Sequence, residues 1–160
     1  MNDETLISFK EAAIYQKDHL VLSNVAFDIS KGEFVYLIGR VGSGKSSLIK
    51  TINMEIPLKY GFATVAGYQL NKIKNKHIPF LRRKLGIVFQ DFQLLIDRTV
   101  YNNLLFVLKA TGWKNKQEIK NRIMEVLDLV GLEYKGYKMP HELSEGEKQR
   151  VVIARALLNS

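Results

Sequence analysis

The sequence predicts an α/β fold built around a phosphate-binding loop, and three adjacent stretches carry that reading. Gly39-Arg40-Val41-Gly42-Ser43-Gly44-Lys45-Ser46 matches the pattern G-x-x-x-x-G-K-[ST]. Before it runs Phe34-Val35-Tyr36-Leu37-Ile38, with the length and β-rich composition of a buried strand. After it, Ser47-Leu48-Ile49-Lys50-Thr51-Ile52 reads as a helix. A strand, a glycine loop and a helix N-terminus together make a phosphate cradle. Backbone N–H groups and the positive end of the helix dipole converge on one concavity. Glycines let the backbone approach an anion without a Cβ in the way. Lys45 can then reach the β/γ-phosphates, and the Ser46 hydroxyl can ligate Mg²⁺.

The elements follow in chain order. Leu6 to Phe27 alternates apolar and polar residues, as in two half-buried strands, and Gly32 marks a turn before the phosphate-loop strand. Phe34 to Ile38 is apolar on successive residues, which predicts burial on both faces, as in a central parallel strand. Gly61 to Gly67 reads as another strand, Pro79 opens a short basic helix through Lys84, and Gly86-Ile87-Val88-Phe89 is a further strand ending at Gln90. From there the character is helical. Thr99 to Lys109 is one helix. Lys116 to Val130 is the clearest, with Ile119, Ile123, Val126, Leu127 and Val130 on one face and Gly131 placed to end it. A last helix follows Ser144. The organisation expected is a β-rich part over about 1–90, a helical part over about 91–143 and a final helix over 144–160, with no internal repeat.

Composition narrows the classes. The 160 residues are 46% hydrophobic, enough for one domain with a real core. No cysteine is present, so disulfides and cysteine metal sites are excluded. The acidic start Met1-Asn2-Asp3-Glu4, with no apolar run of membrane-spanning length, leads us to expect a chain that is not exported. Much of the net charge of +8 lies in Lys72, Lys74, Lys76, Arg82, Arg83 and Lys84. That stretch lacks interleaved aromatics, so it reads as a solvated face and no nucleic-acid partner is expected.

A second anion site is readable near the C-terminal end. In Leu143-Ser144-Glu145-Gly146-Glu147-Lys148-Gln149-Arg150, Ser144 and Glu147 have capping-box spacing. An ordinary helix start accounts for that spacing, and a serine and a glycine at a second helix N-terminus add an anion site to it. Two such sites suggest one nucleotide held between two copies of the chain. One expected signal is missing. Hydrolysis needs a Mg²⁺-holding carboxylate and a residue that orients water. No apolar strand ending in Asp-Glu follows the loop, and the sequence reaches Ser160 within an expected helix. The expectation is an N-terminal piece of a longer domain whose remaining core is missing, inactive in hydrolysis by itself.

The phosphate loop, Gln90 after a strand, and the run Leu143 to Arg150 some fifty residues later resemble the ATP-binding cassette family of P-loop NTPases over essentially the whole chain. Phe89 to Asn103, and Asp97-Arg98-Thr99-Val100 above all, resemble the cell-division branch of that family, and Val151-Val152-Ile153-Ala154-Arg155-Ala156-Leu157 fits as well. The resemblance implies a fold with an N-terminal antiparallel β part and a helical subdomain. It implies ATP and Mg²⁺ as ligands. Tyr15 matches the aromatic that stacks on adenine, although a plain strand tyrosine would look the same. Gly39, Arg40, Val41, Gly42, Ser43, Gly44, Lys45 and Ser46 match the phosphate and Mg²⁺ contacts, and Ser47 an α-phosphate contact. Gln90 matches the glutamine that senses Mg²⁺ and γ-phosphate, and it joins Lys45 as a catalytic candidate. Ser144 and Gly146 match the signature that closes on the opposite protomer's γ-phosphate.

The implied assembly is a head-to-tail dimer around ATP, bound to an integral membrane partner resembling FtsX on the cytoplasmic face of a bacterial plasma membrane. Two departures stand out. Glu145 takes the place of the usual first glycine after the signature serine, and a carboxylate beside a γ-phosphate repels it unless it points to solvent. The carboxylates and histidine that the family places after the signature helix have no counterpart, since His19, His77 and His141 all precede it. Two other readings stay open: an ATPase of lipoprotein release or macrolide-type export, and a nucleotide-binding module without hydrolysis.

Overall fold

A computed structural model describes residues 4–159; Met1-Asn2-Asp3 and Ser160 lie outside the described residues. The chain divides after Arg82 into two compact units.

The first unit is organised by one long hairpin. Strands β1 (Thr5–Gln16) and β2 (His19–Ser30) pair antiparallel through a tight turn at Lys17 and Asp18, with Lys17 left-handed at φ 57. Strand β3 (Tyr60–Val65) pairs antiparallel on the other side of β1, and β4 (Tyr68–Gln69) on β3, giving the order β2-β1-β3-β4. The single strand expected over 61–67 is thus cut by a two-residue turn, Ala66 (φ 49) and Gly67 (φ 85). Positive φ at both positions matches the right-handed twist of a hairpin. Phe9, Ala12, Ile14, Ala63 and Val65 are buried, the alternation that a one-sided sheet requires. Gly61 lies where a Cβ would fall 2.3 Å from the Glu11 carbonyl oxygen, so only glycine lets β3 approach the bulge that Glu11 (φ 48) makes in β1. Helix α1 (Lys45–Ile52) packs on β1 and buries Leu48 and Thr51.

Two expected strands are corrected here. Phe34 to Ile38 and Gly86 to Phe89 form no regular element and join no sheet among the described residues. Nor is the first buried: Phe34 is 82% exposed and Ile38 88%. Apolar composition states a tendency to be covered, but a strand exists only where a neighbour takes its N–H and C=O groups. No described residue supplies that neighbour.

The second unit is a helical bundle. Helices α3 (Val100–Ala110), α4 (Lys116–Leu129) and α5 (Glu145–Leu157) pack around Leu104, Leu108, Ile123, Val126, Val151 and Leu158, all at most 1% exposed. Each starts on a side-chain cap: Thr99 accepts from the Asn102 N–H, Asn115 from those of Gln117 and Glu118, and Ser144 from that of Glu147. Gly131 ends the α4 region with φ 66, as its place after the periodic run predicts. Arg122 of α4 donates to the carbonyls of Leu157 and Leu158, capping the far end of α5. Short α2 (Ile78–Arg83) spans the boundary between the units, and its Arg82 donates to the carbonyls of Asn53 (2.9 Å) and Met54 (3.1 Å).

An exposed apolar run with unpaired backbone invites intermolecular pairing. The 160-residue chain is therefore expected to self-associate, and replacing Phe34 and Ile38 with serine to raise its monomeric fraction. Size exclusion with light scattering checks this; an unchanged distribution locates the association elsewhere.

Candidate functional site

The glycines of the phosphate loop do different jobs. Gly44 is the N-cap of α1 at φ 90, and a Cβ on it would stand 2.9 Å from the side chains of Val21 and Leu22 on β2. It is required both by the left-handed turn and by the strand against which the loop rests. Gly42 is left-handed at φ 79 in open space. A Cβ on Gly39 would fall 2.6 Å from the Ser43 hydroxyl oxygen. The loop is therefore bent and narrow by its own sequence, and the Ser43 N–H closes it onto the Arg40 carbonyl at 3.2 Å.

Positive charge collects inside that bend. The Lys45 ammonium donates to the carbonyls of Gly39 and Arg40, each at 2.8 Å, which draws it back over the loop. Helix α1 begins without a side-chain cap and without an acidic residue in its first turn. Its first N–H groups thus keep their partial charge, and the helix dipole adds to it. A cavity of about 410 Å³ lies here, bounded by Gln16, Leu20, Val21 and the loop from Gly42 to Ser47. Tyr15 is half-buried, with its ring 5.4 Å from that of Tyr60; its neighbour Gln16 lines the cavity and Tyr15 does not. One hairpin end and one loop therefore bring together Gly42, Ser43, Gly44, Lys45, Ser46 and Ser47.

The remaining predicted residues stand in the second unit. Gln90 is exposed just after the 86–89 segment. Ser144 caps α5 in a reciprocal box: its hydroxyl accepts from the Glu147 N–H at 3.3 Å, and the Glu147 carboxylate accepts from the Ser144 N–H at 2.9 Å. That backbone bond, and then Lys135 at 3.3 Å, hold the Glu147 carboxyl below the ordinary glutamate value. Glu145 is exposed and paired with Lys148 at 2.7 Å. A Cβ on Gly146 would meet nothing within 4 Å, so no local contact demands glycine there.

Two residues escaped the sequence reading. Asn103 lies 2% exposed on the buried face of α3. Its amide donates to the carbonyls of Leu95 (3.0 Å), Arg98 (3.1 Å) and Thr99 (3.0 Å), and its oxygen accepts from the Leu95 N–H at 2.8 Å. It thereby moulds the whole 95–99 loop. The signal was an amide sitting in the 100, 103, 104, 108 apolar stripe. Arg155 is the other: it binds the carbonyls of Phe92 and Gln93.

Residues 22–160 match the family model described as ABC transporter. The chain belongs to the ABC transporter family. Within that family it is 45% identical over 146 residues to the cell division ATP-binding protein FtsE of Streptococcus pneumoniae, covering 91% of this chain and 63% of the relative. It is 46% identical over 136 residues to the methionine import ATP-binding protein MetN of Carboxydothermus hydrogenoformans, covering 85% and 40%. The chain thus spans less than two thirds of the length of these curated relatives. Among solved structures it is similar to the dimeric ABC transporter cassette MJ0796, with TM-score 0.83 and 32% identity over 96% of this chain and 69% of that one. A second MJ0796 dimer, in a post-hydrolysis state bound to ADP and Pi, gives TM-score 0.80 and 32% identity, covering 96% and 69%. These likenesses establish the ABC cassette fold for an ABC family member that carries the phosphate loop read from the sequence and the antiparallel sheet that the family resemblance implied.

The Glu147 cap gives a pH dependence of definite sign. A carboxyl held low when folded stabilises above its ordinary value, and that stability is lost as pH falls through the lowered one. Acidification is thus expected to loosen the first turn of α5. Amide exchange at Glu147 and Lys148 checks it, with Glu147→Gln flattening the profile.

Proposed function

We propose that this chain is the nucleotide-binding part of an ABC-type ATP hydrolase of the FtsE kind, acting in bacterial cell division from the cytoplasmic face of the plasma membrane. The observation that carries the reading is the α1 N-terminus, which has no side-chain cap and has the Lys45 ammonium held in the loop beside it. The similarity to FtsE supports the cell-division assignment.

The donor set fits Mg²⁺ and a nucleoside triphosphate: backbone N–H groups and an ammonium for the phosphates, a hydroxyl for a hard cation. When bound, Mg-ATP supplies the transferable γ-phosphate. Gly39 to Lys45 bind and orient the phosphate chain, with Lys45 neutralising charge at the β/γ-phosphates. Ser46 holds the cation through its hydroxyl, and Ser47 adds an α-phosphate contact. Tyr15 offers its ring to the adenine. Gln90 senses the cation and the γ-phosphate as a second catalytic and metal-facing residue. Ser144 and Gly146 serve the other protomer's nucleotide in a head-to-tail dimer, a reading supported by the dimeric MJ0796 relative. The open space around Gly146 suits a close approach, and the Glu145–Lys148 pair limits local negative charge.

No described helix is long and apolar enough to cross a membrane; in this proposal, coupling to a membrane process is the role of a partner. We assign that role to an integral membrane protein resembling FtsX. The 46% identity to MetN supports a second reading, in which the same ATPase drives an importer. Copurification of the full-length protein with its membrane partner separates the two.

Lys45→Ala in the full-length protein is expected to abolish Mg-ATP binding in equilibrium dialysis; unchanged affinity counts decisively against the loop as the site. Gln90→Ala is expected to bind Mg-ATP normally and lose partner-stimulated turnover. If stimulation survives that change, Gln90 is not the sensor.

A further inference from the structure

The segment that bears Gln90 is fastened on both sides of it by two consecutive residues of α5. Before Gln90, Gly86 lies against Ala156, where a Cβ would stand 2.9 Å from the Ala156 carbonyl oxygen and 3.2 Å from its Cβ. After Gln90, the Arg155 guanidinium donates from Nη1 to the Gln93 carbonyl at 2.6 Å and from Nη2 to the Phe92 carbonyl at 2.8 Å. Those two carbonyls belong to consecutive left-handed residues that are not glycine, Phe92 (φ 57) and Gln93 (φ 48). The Gln93 N–H closes the same turn onto the Asp91 carbonyl at 2.6 Å.

Two such residues in succession are costly, because a Cβ crowds its own carbonyl in the left-handed region and each residue held there is disfavoured. A guanidinium suits the task, since its planar fork presents two parallel N–H groups at fixed spacing and carries charge at any working pH. An ammonium on the same stem is a point charge and cannot span both carbonyls in that geometry. Burial lowers the Arg155 pKa from its ordinary value, and the nearby Asp91 carboxylate opposes that effect. The far end of α5 is itself anchored by Arg122, so the helix is a firm support for the turn.

We propose that Arg155 is a positioning residue for Gln90, its bidentate grip on the Phe92 and Gln93 carbonyls holding the strained turn that aims the glutamine. The proposal rests on the reading of Gln90 as the γ-phosphate sensor. Arg155 acts through the turn. It also ties that turn to α5, the helix that Ser144 begins.

The test uses the full-length protein reconstituted with its membrane partner, comparing Arg155→Lys, Arg155→Met, Gln90→Ala and the double variant Gln90→Ala with Arg155→Lys. Amide exchange across 91–95 is expected to speed up by about tenfold or more in both Arg155 variants, as loss of charged hydrogen bonds implies, while the buried amides of α3 and α4 keep their rates. Turnover kcat is expected to fall by about tenfold with KM for ATP within about twofold, lysine giving no rescue. The double variant is expected to lose no more kcat than Gln90→Ala alone, because the two residues act in series. Unchanged exchange at 91–95 overturns the proposal. So does acceleration spread evenly over α3, α4 and α5, which marks a general packing role, and so do losses that add in the double variant. Wild-type turnover in Gln90→Ala overturns the sensor reading and with it the functional half of the proposal, while the exchange pattern alone then decides whether Arg155 holds the turn.

Discussion

A helix cannot satisfy its own first N–H groups, and the way each helix here meets that constraint separates scaffold from site. Helices α3, α4 and α5 begin on Thr99, Asn115 and Ser144, whose side chains accept those protons. Helix α1 begins on Gly44, which has no side chain to offer. The exception is built in, since Val21 and Leu22 stand where a Cβ would go and the left-handed φ disfavours any other residue. The sheet beneath the loop therefore keeps a capping side chain out. Folding then leaves a cluster of N–H dipoles that only something outside the helix can satisfy, and Lys45 gives that cluster a full charge.

The signature helix obeys the same constraint in the other way, and this shapes what it can do. Ser144 already receives the Glu147 N–H and donates its own N–H to the Glu147 carboxylate, so α5 starts satisfied. A start of this kind is stable before any nucleotide arrives. Its capacity for an anion lies in the hydroxyl proton and in the unobstructed face at Gly146. The two helix starts thus differ in kind: one leaves its first N–H groups uncapped beside Lys45, the other satisfies them within its own first turn.

What was legible in the sequence follows from the range of the interaction concerned. Periodicity is local, so α3 and α4 were readable to within a residue or two, together with the Gly131 stop. Capping is local, so Ser144 and Glu147 were readable as a pair. Pairing of strands is not local. Phe34 to Ile38 and Gly86 to Phe89 have strand composition, yet they run unpaired because a strand is a relation between two segments. The phosphate loop was legible because its ligands are its own consecutive N–H groups. Arg155 was invisible for the opposite reason. Its partners are backbone carbonyls, which no side-chain pattern announces, and they lie 62 and 63 residues away in the chain.

Arginine forks on backbone carbonyls recur in the molecule, and the recurrence has a physical reason. Arg82 holds the carbonyls of Asn53 and of left-handed Met54 at the end of α1. Arg122 holds those of Leu157 and Leu158 at the end of α5, and Arg155 those of Phe92 and Gln93. In each case the chain leaves a regular element or bends sharply, and its carbonyls lose their ladder partners. A guanidinium satisfies two of them at once and tolerates partial burial because it never has to lose its proton. The arginines of this basic chain are thus in part internal fasteners, and the net charge of +8 overstates the positive charge left for an external partner. At the phosphate loop, Lys45 places positive charge beside the cavity that the loop bounds.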